Sequence, residues 1–168
     1  MHKQNIVIID YGVGNTHSVS NAISYLGYKK LRITDSEELI KKADALILPG
    51  VGAYEEAVKN LRERNLEQLL NEEVLIKKKP ILGICVGMQM LAEGSEENGW
   101  HEGLNWMKGK VKKLNLPEKF AIPHVGWNNI SIENKEPMFN RIENDSNFYF
   151  DHSYYFECND DIMAAWCD

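Results

Sequence analysis

The strongest chemical signal in this 168-residue sequence is a cysteine between two glycines, in the string GICVG at residues 83–87. A short apolar run, Ile81 to Ile84, precedes Cys85, and residues 87–92 have a helical pattern. A side chain on such a strand-to-helix turn is held in a strained, exposed pose, in which it can act as a nucleophile. Flanking glycines remove Cβ atoms that would clash, and a helix N-terminus favours the thiolate. The alternative is a small buried hydrophobic cysteine.

A second glycine pair, in the string PGVG, follows a buried strand predicted at Ala45 to Leu48. Backbone N–H groups of Gly50, Val51 and Gly52 could turn toward the crevice at the carboxyl edge of a parallel sheet. Acyl transfer requires such donors for the oxyanion of its tetrahedral intermediate. The alternative is an ordinary turn between a strand and a helix.

The elements that must position these residues alternate between strand and helix. Strands are predicted at residues 5–10, 31–33, 45–48 and 81–84, and helices at 16–26, from Ser36 onward, at 53–71 and at 87–92. This alternation predicts an α/β fold with three layers, in which helices flank a mainly parallel sheet. After a loop predicted over residues 94–109, a smaller antiparallel β portion is expected in the C-terminal half, from strand-like stretches at 109–114, 129–133, 148–156 and 163–166.

The composition is typical of a globular protein and gives no sign of nucleic-acid binding or of a membrane span. With 43% apolar and 26% charged residues, the chain is expected to form one globular domain. Its 19 basic and 25 acidic side chains give a formal net charge of −6, so there is no global electrostatic reason to bind nucleic acid or anionic lipid. No apolar run approaches the roughly 20 residues of a membrane span. Three widely separated cysteines and the lack of a signal peptide predict a cytoplasmic location, and neither a cofactor nor a metal site is expected.

Five strings make the sequence resemble the class I, or triad, glutamine amidotransferases. They are IDYGVGN from Ile9, LPGVGAY from Leu48, GICVGMQ from Gly83, IPHVGWN from Ile122 and FYFDHSYYF from Phe148. The strings occur in family order, with family spacing, over nearly the whole chain. The combination of PGVG with PHVGWN makes the sequence similar to the glutaminase subunits of imidazole glycerol phosphate synthases.

The resemblance implies a chemistry and a set of residues for it. Cys85 would attack the side-chain amide of L-glutamine, form a glutamyl thioester and release ammonia. Gly50, Val51 and Gly52 would supply the oxyanion strand. The substrate's amino-acid end would be held by two side chains and by backbone, at Gln89, Glu97, Ser153 and Tyr154.

The resemblance also implies a partner. The IPHVGWN string would form a loop at the interface of a heterodimer with a (β/α)8-barrel cyclase, through Pro123, His124, Trp127 and Asn128. The cyclase would use the ammonia on a ribonucleotide precursor, giving imidazole glycerol phosphate and an aminoimidazole carboxamide ribonucleotide in histidine biosynthesis. Without the family match, PHVGWN could be a plain Pro-Gly turn.

Two features depart from the family pattern. The family's general base is a histidine in a His-Pro-Glu string near the C-terminus, and Pro-Glu follows none of the five histidines here, His2, His17, His101, His124 and His152. The single domain over residues 1–168 is therefore expected to lack the C-terminal segment with the catalytic His and Glu, and to be poorly active or inactive. The stretch GLNWMKG at 103–109 is similar to paralogues that supply ammonia for bacterial surface sugars.

Three alternative functions follow from these observations. The same chemistry could serve a synthase for amino or amidino sugars of surface polysaccharides. A shortened chain could instead be a non-catalytic docking subunit that binds a synthase. A nucleotide-binding module is the third, but Gly12 and Gly14 of YGVGN lack the further glycine of GxGxxG, since His17 stands there.

Overall fold

The computed structural model of the chain describes residues 4–117, 120–133, 137–158 and 162–167. These residues form the helices α1 (Thr16–Tyr25), α2 (Glu37–Lys42), α3 (Tyr54–Glu63), α4 (Leu66–Leu70) and α5 (Val86–Gln89). A π-helix (Asn71–Ile76) continues α4, and a 3₁₀ turn lies at Pro137–Phe139. The strands are β1 (Ile6–Ile9), β2 (Leu31–Thr34), β3 (Ala45–Leu48), β4 (Ile81–Gly83), β5 (Gly94–Ser95), β6 (His101–Glu102), β7 (Lys110–Lys113), β8 (His124–Asn129), β9 (Ser131–Ile132), β10 (Asn147–His152), β11 (Tyr154–Glu157) and β12 (Ala165–Trp166).

A parallel sheet with the strand order β2-β1-β3-β4 lies at the centre of the fold. Its strands are short aliphatic runs, and β1 is buried along its whole length. Alternate side chains of β1 enter two cores. Val7 and Ile9 pack in a cluster with residues of α3 and α4, while Ile6 and Ile8 pack in a second cluster with residues of α1. Helices therefore cover both faces of the sheet, which confirms the predicted three-layer α/β fold.

The prediction of one continuous helix over residues 53–71 is wrong. Helix α3 ends at Glu63, Asn65 has a left-handed backbone with φ 57°, and α4 begins at Leu66. Asparagine adopts this conformation more readily than most residues. The break directs Leu66 and Leu70 into the main core. It leaves the apolar spacing almost unchanged, so periodicity alone did not detect it.

The C-terminal half contains more strands than predicted. The loops predicted at residues 94–109 and at IPHVGWN are both wrong, because the first contains β5 and β6 and the second contains β8. Because β5 and β6 have only two residues each, they carry no periodicity from which they could be predicted. The stretch predicted at 148–156 is divided at Ser153 into β10 and β11, which pair with β8 and β7. Both pairings are antiparallel, which confirms the smaller antiparallel portion.

Candidate active site

Cys85 lies in the tight turn between β4 and α5, with φ 54° and ψ −120°. Few residues other than glycine adopt a positive φ, and such strained positions cluster at active sites. The Cys85 side chain is exposed, so the alternative of a buried hydrophobic cysteine is wrong. Helix α5 is a single turn and not the predicted residues 87–92. Its macrodipole at the sulfur is therefore smaller than the sequence suggested.

Two glycines allow the Cys85 turn to lie directly against the PGVG segment. A Cβ atom on Gly87 would lie 1.9 Å from the carbonyl oxygen of Leu48, and one on Gly50 would lie 2.3 Å from the backbone nitrogen of Gly87. Both distances are too short for any side chain, so the close approach requires glycine at each position. The N–H of Ile84 also donates to the Leu48 carbonyl over 3.0 Å. That the N–H groups of the PGVG segment face the Cys85 sulfur stays a prediction.

The hydroxyl group of Tyr11 holds the start of the PGVG segment. It donates to the carbonyl oxygen of Pro49 over 2.5 Å, and the side chain is fully buried. Burial raises the pKa of the Tyr11 hydroxyl above its usual value, and negative charge on Cys85 raises it further. Tyr11 therefore stays protonated and keeps donating when Cys85 is a thiolate.

Replacing Tyr11 with phenylalanine is expected to lower the free energy of unfolding by about 1–3 kcal/mol, because the buried Pro49 carbonyl loses its donor. Tyr54 provides a matched control, since its side chain is equally buried but its hydroxyl has no hydrogen-bond partner among the described residues. Tyr54→Phe is expected to be neutral or stabilising. Urea unfolding followed by circular dichroism measures both changes. Equal losses in the two variants would refute a specific role for the Tyr11–Pro49 bond.

A cavity of about 550 Å³ gathers all the residues that were predicted for catalysis, the oxyanion and glutamine. They are Cys85, Gly50, Val51, Gly52, Gln89, Glu97, Ser153 and Tyr154. Pro123, predicted at the partner interface, lines the same cavity. The cavity is also lined by four residues that were not among the predicted site residues, Asn15, Ser18, Asp151 and His152. Asn15 lies within the IDYGVGN string, and Asp151 and His152 lie within FYFDHSYYF. These motifs could therefore have indicated three of the four residues.

The two side chains predicted to hold glutamine are themselves held by backbone groups. The Glu97 carboxylate accepts a hydrogen bond from the N–H of Tyr54 over 3.0 Å. Tyr54 is the first residue of α3, where negative charge is favourable. Gln89 is 7% exposed, and its Nε2 donates to the carbonyl oxygen of Tyr154 over 3.4 Å. Both side chains are therefore oriented within the cavity wall by the chain itself.

The residues predicted at the partner interface lie on two faces of the β8–β10 pair. Trp127 is 73% exposed and makes an edge-to-face contact with Tyr149, with the ring centroids 5.6 Å apart. His124 and Asn128 lie on the opposite face, because side chains alternate along a strand. Together with Pro123 they line a second cavity of about 380 Å³. A single flat contact could not cover all four residues.

In the part of the chain that the structure describes, no helix is long and apolar enough to cross a membrane. The same residues contain no group of three or more His, Cys, Asp or Glu side chains that could hold a metal ion.

The family model for class-I glutamine amidotransferases matches residues 7–167. The chain belongs to the class-I glutamine amidotransferase family, as its motifs predicted. Its curated relatives indicate a particular enzyme within this family. It is 44% identical to imidazole glycerol phosphate synthase subunit HisH 2 of Vibrio vulnificus over 95% of this chain and 75% of that protein. It is likewise 44% identical to subunit HisH 1 of Campylobacter jejuni strain 81-176, over 95% of this chain and 79% of that protein.

Solved structures confirm the fold. A glutamine amidotransferase crystal structure matches with a TM-score of 0.71 at 17% identity, covering 95% of this chain and 78% of that one. A second glutamine amidotransferase, from Thermotoga maritima, matches with a TM-score of 0.60 at 19% identity, covering 94% of this chain and 64% of that one.

Proposed function

We propose that this chain is the glutamine-hydrolysing subunit of an imidazole glycerol phosphate synthase, a cytoplasmic enzyme that uses the released ammonia in histidine biosynthesis. The observation that carries the proposal is the exposed, strained Cys85 turn, which lies against the PGVG segment in a cavity that Gln89 and Glu97 also line. The 44% identity to subunits of this synthase supports the choice of pathway.

The proposed reaction is an acyl transfer to sulfur. The Sγ atom of Cys85 adds to the side-chain carbonyl carbon of glutamine as the thiol proton leaves. The N–H groups of residues 50–52 stabilise the negative charge that develops on the carbonyl oxygen. The carbon–nitrogen bond then breaks, and the departing nitrogen takes a proton to leave as ammonia. Water cleaves the glutamyl thioester, which gives glutamate and restores the thiol.

The cavity wall offers complementary charge for the amino-acid end of the substrate. The Glu97 carboxylate is suited to the substrate ammonium group. The backbone N–H groups at Ser153 and Tyr154 are suited to the substrate carboxylate. Because Gln89 donates to the Tyr154 carbonyl, we propose that it acts mainly by holding this backbone in place. Such prior orientation lowers the entropy that binding must overcome.

The proposed partner is a (β/α)8-barrel cyclase in a heterodimer. The exposed face of β8 and β10 carries aromatic side chains, and exposed aromatic residues of this kind are enriched at protein interfaces. Trp127 is the most exposed of them, and we propose that it contacts the cyclase. Pro123 connects the second cavity, on the opposite face of the same strand pair, to the Cys85 cavity, since it lines both.

Trp127→Ala is expected to weaken binding to the cyclase by about tenfold or more, because tryptophan is often a dominant contact at an interface. Trp100→Ala is the matched control. Trp100 is 54% exposed but lines a different cavity, beside α3, so its loss is expected to leave the affinity unchanged. Titration of each variant with the purified cyclase of the same organism, followed by isothermal calorimetry, gives the two dissociation constants. Equal affinities for Trp127→Ala and the unmodified chain would contradict the proposed interface.

A second candidate function keeps the chemistry and changes the acceptor. The resemblance of GLNWMKG, at residues 103–109, to paralogues that supply ammonia for bacterial surface sugars favours a synthase for amino or amidino sugars of surface polysaccharides. The same titration distinguishes the two functions, because only the correct synthase is expected to bind. A docking subunit without catalysis is distinguished by its lack of ammonia release from glutamine.

A further inference from the structure

Two histidines from neighbouring strands contact each other at the edge of the candidate active site. His124 begins β8, His152 ends β10, and the two residues are direct partners in the antiparallel register. Nδ1 of His124 lies 3.1 Å from Nε2 of His152. The His124 ring also stacks on Phe150, with the centroids 4.8 Å apart. His152 lines both the Cys85 cavity and the second cavity.

The contacts of His152 determine which of its nitrogens carries a proton. Its Nδ1 atom lies 2.9 Å from the carbonyl oxygen of Tyr154. A carbonyl oxygen can only accept, so Nδ1 must carry the proton. In the neutral ring, Nε2 then has a lone pair, and the Nδ1–H of His124 donates to it. Neither nitrogen of His152 is left to accept the proton of Cys85 while these two contacts persist.

The carbonyl oxygen of Tyr154 is the point on which two cavity residues converge. It accepts from Nδ1 of His152 and from Nε2 of Gln89. The neighbouring Ser153 carbonyl accepts the N–H of Leu114 over 2.8 Å. Hydrogen bonds to both carbonyls therefore hold the backbone between β10 and β11 in place. This is the backbone that the proposed function assigns to the amino-acid end of glutamine.

We infer that His152 is a positioning residue of the glutamine pocket and not its general base, with His124 holding the His152 ring in the tautomer that donates to Tyr154. This inference rests on the proposed function, because it assigns the Ser153–Tyr154 backbone to the substrate. It extends that function by giving a role to two histidines outside the nucleophile and the oxyanion segment. It also links the proposed docking strand β8 to the pocket.

The test uses the kinetics with which a diazo-ketone analogue of glutamine labels Cys85. Saturation kinetics separate the binding constant of the analogue from the maximal rate of labelling. His152→Asn keeps a donor close to the position of Nδ1 and removes Nε2, whereas His152→Leu removes both nitrogens. His17→Asn, at an exposed position on α1, controls for the loss of an imidazole elsewhere.

A positioning role predicts that His152→Leu weakens binding of the analogue by about tenfold, the effect of one lost hydrogen bond. The maximal rate should change less than about threefold, and His152→Asn should restore the binding. A base role predicts instead that both variants lose about 100-fold or more in maximal rate. That result, or unchanged binding in His152→Leu, would overturn the inference.

His124→Leu provides a second variant that keeps His152 in place. It removes the donor that fixes the His152 tautomer, so we expect binding to weaken by about three- to tenfold at an unchanged maximal rate. Unchanged binding in this variant would overturn the role of His124, even if His152→Leu failed to fold. If labelling of the unmodified chain were not saturable, or were not blocked by L-glutamine, the proposed function itself would fail, and this inference with it.

Discussion

Residues 1–168 are expected to release ammonia from glutamine about 10²- to 10⁴-fold more slowly than an extended version of the chain. The extension is a C-terminal segment that carries a His-Pro-Glu string. The expected factor is the range typical of general acid–base assistance. Within the described residues, His152 is the only histidine that lines the cavity of Cys85. Its Nδ1 donates to Tyr154 and its Nε2 contacts His124. Among the described residues, Cys85 therefore has no histidine positioned to take its proton or to protonate the leaving nitrogen.

The comparison measures ammonia release by the two versions, each mixed with its synthase partner. His152→Asn in the 168-residue chain is the control, because a low residual rate that does not use His152 should survive this change. If the unmodified 168-residue chain matched the extended version, a histidine already present would have to act as the base. His152 would then be the first candidate, and His152→Asn would abolish the activity.

Cys85→Ser is expected to abolish covalent labelling by a glutamine-like electrophile, because the hydroxyl of serine is a much weaker nucleophile than a thiolate. In a serine protease, removing the nucleophile costs on the order of 10⁶-fold in turnover. The change replaces one small polar atom at an exposed position, so the fold should be retained. Cys158→Ser is the matched control and should label like the unmodified chain.

Intact-protein mass spectrometry follows the labelled fraction over time for each variant, and circular dichroism checks that the fold is retained. Labelling of folded Cys85→Ser at the rate of the unmodified chain would contradict the assignment of the nucleophile. Loss of labelling in Cys158→Ser, in a chain that remains folded, would transfer that assignment to Cys158.

The features that the sequence predicted well depend on local signals. Strands β1 and β3 are short aliphatic runs, and such runs have few alternatives to a buried strand in an α/β chain. The Cys85 turn was predictable because flanking glycines and a preceding strand define it. Gly50 and Gly87 belong to the two predicted motifs, but their contact with each other depends on the close approach of β3 and β4.

The features that the sequence did not predict depend on distant partners. The Tyr11 hydroxyl and the Pro49 carbonyl are 38 residues apart, and nothing near Tyr11 indicates that pairing. The contact between His124 and His152 exists only because β8 and β10 pair in one register, and β8 itself was predicted as a loop. The break at Asn65 needs one left-handed residue, which helical spacing alone does not reveal.

The most direct test of the account is to map the site of labelling after treatment with the diazo-ketone analogue of glutamine, with and without an excess of L-glutamine. Peptide mass spectrometry of the unmodified chain compares the three cysteines, Cys85, Cys158 and Cys167. We expect Cys85 to be labelled first, because it is exposed in a strained turn that lies against the PGVG segment. L-Glutamine should slow this labelling by competing for the cavity. Preferential labelling of Cys158 or Cys167, or labelling of Cys85 that L-glutamine does not slow, would contradict the account.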